Sequence, residues 1–240
     1  MSQKIINCLY SHFKNHPQKL KIVCDWDEVI QPHEPYALWM AKKAKSEATN
    51  NPVFGISFTD FFKDFWEKGL EIVYFPYGSK MKEDISISNY QQAIKNSPEF
   101  YQQAPFLTIA KELLKLIRED KTKKIIFLSA YDKRKFPHGD PRKKQIFKET
   151  FGRFAGCELE LIGFESEQQG ASKADWIKKN AFDFDLVIDD NPNICKKITE
   201  EIPQVVVCAP YYPSVKVKHT EKVLLVKTSV ADLQKEDYQK

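Results

Sequence analysis

The stretch VCDWDEVIQ, residues 23–31, runs from apolar residues into two aspartates one residue apart, Asp25 and Asp27. Such a pair has two readings. The acids either cap the turn that follows a strand, or they present a ligand and a reactive group at the strand's carboxyl end. The rest of the chain decides between them.

Short β-rich runs recur: LKIVCD (20–25), KIIFLS (124–129), ELELIG (158–163), DLVID (185–189), QVVVC (204–208) and KVLLV (222–226). Most are nearly continuous apolar runs, as strands buried on both faces of a parallel sheet require. Helical patterns lie between them. Residues 107–119 place Ile109, Leu113, Leu116 and Ile117 on one stripe, and residues 141–151 open at Pro141 and stop before Gly152. Further helices are expected at 172–180 and 192–201. This alternation from residue 107 onward predicts an α/β fold with a doubly wound, Rossmann-like parallel sheet.

Residues 32–106 break the rhythm. They hold 15 of the 31 aromatic residues, including FTDFFKDFW (58–66), and a strand-like piece EIVYFPY (71–77). A plain connection between the first and second sheet strands is far shorter. An inserted subdomain over 32–106 is therefore expected, with a core formed by 1–31 and 107–240. Phe58, Phe61, Phe62, Phe65 and Trp66 fall at helical spacing. They suit the insert's own core, or an apolar lid over a substrate.

With 240 residues and 42% hydrophobic content, the chain can bury a full core. Its longest apolar runs are five or six residues, against about 20 for a bilayer-spanning helix. The N-terminal MSQKIINCLYSHFKNHPQ lacks a secretory apolar region. The expectation is a soluble, cytoplasmic protein with no membrane partner. Five scattered cysteines without CxxC spacing argue for reduced thiols and against a disulfide framework or a zinc site. The net charge of +4 is uneven: residues 121–150 carry ten Lys/Arg against three Asp/Glu, a local +7. The run KRKFPHGDPRKK (133–144) reads as a solvated surface or as a patch that steers an anionic substrate.

The carboxyl ends of parallel strands form the crevice where ligands bind. Those ends carry Asp25 and Asp27, then Ser129, then Asp189 and Asp190 in LVIDDNPN (186–193), while Lys173 opens the helix before the last of these strands. Carboxylates gathered at one edge repel one another unless a cation joins them, and hard oxygen donors favour Mg²⁺ with a substrate phosphate. One Asp could then act as nucleophile and a second as acid and base, with a hydroxyl and an ammonium offsetting phosphoryl charge.

The order IVCDWDEV, IIFLSA, GASKADW, LVIDDNPN resembles the four motifs of the haloacid dehalogenase superfamily, most of whose members are Mg²⁺-dependent phosphatases. The resemblance spans residues 20–193. It implies that Asp25 is the nucleophile and a Mg²⁺ ligand, and that Asp27 is the acid/base and lends its backbone carbonyl to the metal. Ser129, with Ala130, would hold the phosphoryl group, and Lys173 would stabilise its charge. Asp189 and Asp190 would complete the metal site, with Asn193 as an outer partner. An insert between the first two motifs implies a cap that sets substrate choice. Two positions depart from the pattern: Glu28 stands where glycine is common, and Val29 where threonine is frequent.

Several residues keep plain alternatives. Lys143 and Lys144 compete with Lys173, which is preferred because it opens a helix 16 residues before Asp189, whereas the other two lie in a generally basic helix. Asp190 and Asn193 suit helix caps, Trp26 suits packing, and His33 suits a loop at the insert's entrance. Phe136 and His138 could stack on a base. The expected function is a Mg²⁺-dependent phosphomonoesterase working through an aspartyl phosphate on a small anionic phosphorylated substrate, with a nucleotide or nucleic-acid phosphate end preferred. The alternative is a catalytically weak phosphate-binding or scaffolding protein. A phosphotransfer receiver domain is disfavoured, because it carries its acidic pair at the first strand rather than late in the chain.

Overall fold

The computed structural model describes residues 3–48, 57–68, 91–164, 169–180, 183–211, 219–231 and 233. Its strands are β1 (Ile5–Ile6), β2 (Leu20–Asp25), β3 (Phe106–Leu107), β4 (Thr122–Asp132), β5 (Cys157–Phe164), β6 (Leu186–Ile188), β7 (Val206–Tyr211), β8 (Leu224–Lys227) and β9 (Val230–Ala231). The helices used below are α1 (Leu9–Phe13), α2 (His33–Ala48), α3 (Phe58–Lys68), α4 (Phe100–Gln103), α5 (Thr108–Arg118), α6 (Pro141–Glu149), α7 (Gln169–Asn180) and α8 (Pro192–Glu201).

Seven strands form one sheet in the order β1-β8-β7-β6-β2-β4-β5, and every pairing in it is parallel. The doubly wound α/β class is therefore present. β2 is the strand from which the order runs both ways, first outward through β4 and β5, then back across to β6, β7 and β8. A crevice opens at the carboxyl end of such a switch point, and Asp25 is the last residue of β2.

Alternation along β2 sends side chains to two cores. Leu20, Ile22 and Cys24 join Phe127, Ile109, Leu113 and Leu116 on one face. Val23 joins Leu128 of β4 and Ile177, Ile194 and Ile198 of α7 and α8 on the other. Burial on both faces is what makes the strand sequences continuously apolar. The expected strand at 204–208 begins two residues later, at Val206. Three short strands were not expected: β1 extends the sheet beside β8, and β3 pairs with β9 in a separate antiparallel ribbon.

Between β2 and β3 the described residues are helical or irregular and add no strand to the sheet. Phe58, Phe61 and Phe62 are buried; Phe58 packs with Tyr36 and Trp39 of α2 and with Phe62, so those rings serve as core. EIVYFPY and the side chains of Phe65 and Trp66 lie outside the described residues. No described helix is long and apolar enough to cross a membrane, and all five cysteines are free thiols.

Candidate functional site

Strand register assembles the acids. Cys24 pairs with Ile188 and Asp25 with Leu128. Asp189 therefore stands beside Asp25 on one neighbouring strand, and Ser129 lies one residue beyond Asp25's partner on the other. Asp25, Asp189 and Asp190 are buried, and one carboxylate oxygen of each lies within 4.8 Å of the others. Lys173 closes the group: its Nζ is 2.5 Å from Asp25 Oδ2 and 2.8 Å from Asp189 Oδ2. Asp25 Oδ1 also accepts from the Trp26 backbone N–H at 2.6 Å, and Asp189 Oδ1 from that of Asn191 at 2.9 Å.

Three carboxylates face one ammonium, so full ionisation would leave this half of the site two charges negative, and burial resists that. Burial pushes Asp25 up to about 7; Lys173 opposes the shift, while Asp189 and Asp27 add to it. Asp190 is raised well above the usual carboxylate range by burial, then by Asp25, Asp189 and Glu28. For Lys173, burial works against the charge, but its two aspartates outweigh it and hold the ammonium well above the ordinary value. A set of carboxylate oxygens with surplus negative charge fits a hard divalent cation such as Mg²⁺.

The second half is built around Asp27, whose side chain is 28% exposed. Lys143 reaches it from α6 and was not expected here. Its Nζ lies 2.5 Å from Asp27 Oδ2, 2.6 Å from Ser129 Oγ and 3.1 Å from the Ala130 carbonyl. Ser129 is fully buried. The reading of residue 143 as part of a solvated basic helix is thus overturned, whereas Lys144 does point outward and donates to the His138 carbonyl. Asp140, the N-cap of α6, accepts from the Arg142 N–H and fixes the helix's first turn. Lys143 then falls one turn before Ile146, the other buried residue of α6. Signal for this existed in the sequence: Lys143 is three residues ahead of Ile146 and so shares its apolar face.

His33 and Tyr101 complete the wall beside Asp27. The Tyr101 hydroxyl donates to Asp27 Oδ1 at 3.4 Å, and the His33 ring stacks on Tyr101 with centroids 4.5 Å apart. His33 opens α2 rather than lying in a loop, and its Nδ1 is 3.9 Å from Asp27 Oδ1. Burial opposes ionisation of Asp27, but nearby cations outweigh it and hold the acid down at about 2. Burial also pushes His33 down to about 3. Its ring is therefore neutral at ordinary pH, and Lys143 is the cation that matters.

Other expectations resolve as follows. Trp26 is fully buried, packs edge-on to Phe127 and Phe151, and donates from Nε1 to Gln31 Oε1 at 2.9 Å, as a packing residue. Neither Asp190 nor Asn193 caps α8. That cap is Asn191, whose side chain accepts from the backbone N–H groups of Asn193 and Ile194, and Asn193 itself is exposed. Glu28 has φ +61°, the left-handed conformation that explains why glycine is common after the second aspartate. Its carboxyl is buried and accepts from the Glu34 N–H at 2.7 Å, at the start of α2; burial raises it well above the usual carboxylate range.

The basic run is also less open than its composition suggests. Arg134 forks onto Asp132, Arg142 turns inward onto Asp140, and Lys143 is buried. Phe136 lies under the Arg142 guanidinium, 4.9 Å from ring centroid to Cζ.

No protein-family model matches the chain, and no curated protein sequence does. Among solved structures, it is similar to a candidate phosphatase from Clostridium difficile at 8% identity and TM-score 0.44, over 87% of this chain and 94% of that one. It is likewise similar to a candidate haloacid dehalogenase-like hydrolase from Bacteroides fragilis, at 11% identity and TM-score 0.44, over 87% and 97%. A haloacid dehalogenase-like family hydrolase from Xanthomonas campestris matches at 14% identity and TM-score 0.38, over 92% of each chain. Likeness at this level carries no argument about activity, and the function has to be read from the site.

Proposed function

We propose that the chain is a haloacid dehalogenase-like phosphatase, a Mg²⁺-dependent phosphomonoesterase that works through an aspartyl phosphate on Asp25. The observation that carries this reading is the buried Asp25–Asp189–Asp190 group with its single lysine, set beside Asp27 at the switch point of the sheet.

The metal would be held by carboxylates of Asp25, Asp189 and Asp190, with the Asp27 backbone carbonyl as a further oxygen. When bound, it would neutralise phosphoryl oxygens and fix them in line with Asp25. The chain's own groups do the rest. Asp25 attacks phosphorus, the P–O bond to the leaving group breaks, and Asp27 delivers a proton to the departing oxygen. Water then attacks phosphorus, Asp27 takes its proton, and the P–O bond to Asp25 breaks to release phosphate. Ser129 and the neighbouring Ala130 backbone cradle the phosphoryl group, and Lys173 offsets its charge.

Lys143 keeps Asp27 ionised before substrate binds, which is the form that the water step needs. The proton for the leaving oxygen then arrives with the ester, whose second ionisation lies near about pH 6. Turnover of an alkyl ester should therefore fall as pH rises past about 6, which a pH–rate profile measures. Residues 32–106 are proposed as the cap. The substrate class proposed is a nucleotide or nucleic-acid phosphate end, supported by the exposed basic residues of 133–135.

The test is hydrolysis of p-nitrophenyl phosphate with Mg²⁺, with EDTA, and by the Asp25→Asn protein. Metal-dependent turnover lost in the variant supports the reading. Silence on this ester and on a panel of nucleotides, sugar phosphates and phosphorylated nucleic-acid ends favours a phosphate-binding or scaffolding protein.

A further inference from the structure

Lys143 is a buried lysine that the four motifs leave without a task, and its environment differs from that of Lys173. An ammonium has three hydrogens to donate. Those of Lys143 face three acceptors, Asp27 Oδ2, Ser129 Oγ and the Ala130 carbonyl, all within 3.1 Å. No N–H is left over for a phosphoryl oxygen, so the group is placed to orient its neighbours rather than to bind the substrate. The other oxygen of Asp27 accepts from the Tyr101 hydroxyl.

These two supports are tied to each other. Arg142, next to Lys143, lies 5.3 Å over the Tyr101 ring and donates to the carbonyls of Lys95 and Ser97 at 2.6 and 3.0 Å. Gln31 donates to the carbonyls of Tyr101 and Ala104, both at 2.8 Å, and accepts from Trp26. The end of the insert is thereby bolted both to α6 and to the loop that carries Asp27.

We propose that Lys143 and Tyr101 are positioning residues for Asp27, each holding one carboxylate oxygen so that the acid/base group meets the leaving oxygen in a single orientation. The proposal rests on the phosphatase reading above. It makes the last residues of the insert part of the apparatus that directs proton transfer.

Leaving-group dependence tests it. p-Nitrophenolate departs without a proton, whereas an alkoxide such as that of glycerol phosphate needs one. Lys143→Met should lower kcat on glycerol phosphate by about tenfold or more beyond any loss on p-nitrophenyl phosphate, with the two KM values moving little. Tyr101→Phe, which keeps the ring, should show a smaller loss in the same sense. Equal losses on both esters, or a KM raised equally for both, would overturn the proposal while leaving the phosphatase reading intact. Failure of that reading is separate: it shows as a wild-type protein silent on both esters, or as an Asp25→Asn protein that still turns over, and the proposal falls with it. Melting temperatures of Asp27→Asn, Lys143→Met and the double variant check the contact without turnover. A contact of this kind requires the double variant to lose less than the sum of the singles, and simple additivity counts against it.

Discussion

Lys173 and Lys143 are both buried lysines that reach an aspartate at the carboxyl end of β2, yet they sit in opposite charge balances. Lys173 is outnumbered by Asp25, Asp189 and Asp190. Lys143 meets one carboxylate and two neutral oxygens. In the first half burial, reinforced by the neighbouring carboxylates, raises the pKa of Asp25 and Asp190; in the second, Lys143 and its neighbours outweigh burial and lower that of Asp27. The difference separates two jobs at one strand end. A cation and a phosphoryl group suit the negative half, and a carboxylate held in one protonation state and orientation suits the balanced half.

The largest expected effect lies in the negative half. Asp25→Asn should cost at least about a thousandfold in kcat, because the covalent route loses its nucleophile; steady-state hydrolysis measures it. Lys173→Met comes next. Removing one partner of a buried charge group costs about 3–5 kcal/mol, and denaturant unfolding without metal should show a loss of that order. Added Mg²⁺ should recover more stability in this variant than in the wild type, since more charge is left to neutralise.

A pH series sharpens the contrast. In the folded protein Asp25 titrates near 7, above its value of about 3.9 in an unfolded chain. Its protonated form is favoured by folding, so its stabilisation is complete below about 4 and is lost as pH rises through 7. Asp27, near 2 when folded, does the reverse: its contribution is present above about 4 and is lost only as pH falls toward 2. Melting temperature measured in EDTA should therefore decline from pH 5 to pH 8, and Mg²⁺ should flatten the decline. A metal-free protein whose stability rises over that range would break the comparison.

The smallest effect belongs to Glu28. Burial already favours its neutral form, and glutamine preserves an acceptor for the Glu34 N–H. Glu28→Gln should change stability at pH 7 by no more than about 0.5 kcal/mol.

Legibility in the sequence followed the physics of each element. The central strands were readable because burial on both faces makes them continuously apolar, and Asp25, Ser129 and Asp189 were readable because they end such runs. β1, β3 and β9 are two residues each, too short for a periodic signal. Lys143, His33 and Tyr101 escaped for a different reason. Their proximity to Asp27 is a product of tertiary packing, across 116 residues for Lys143 and 74 for Tyr101, and a lysine among lysines carries no mark of burial except its spacing from Ile146. Asn191 took the capping role assigned to its neighbours because only its side chain faces the open N–H groups of α8.

The most direct measurement is mass spectrometry of acid-quenched enzyme caught during turnover of p-nitrophenyl phosphate with Mg²⁺. The account predicts one added phosphoryl group on the peptide containing Asp25, absent with EDTA and absent in the Asp25→Asn protein. Turnover accompanied by a phosphoryl group on another residue would contradict it.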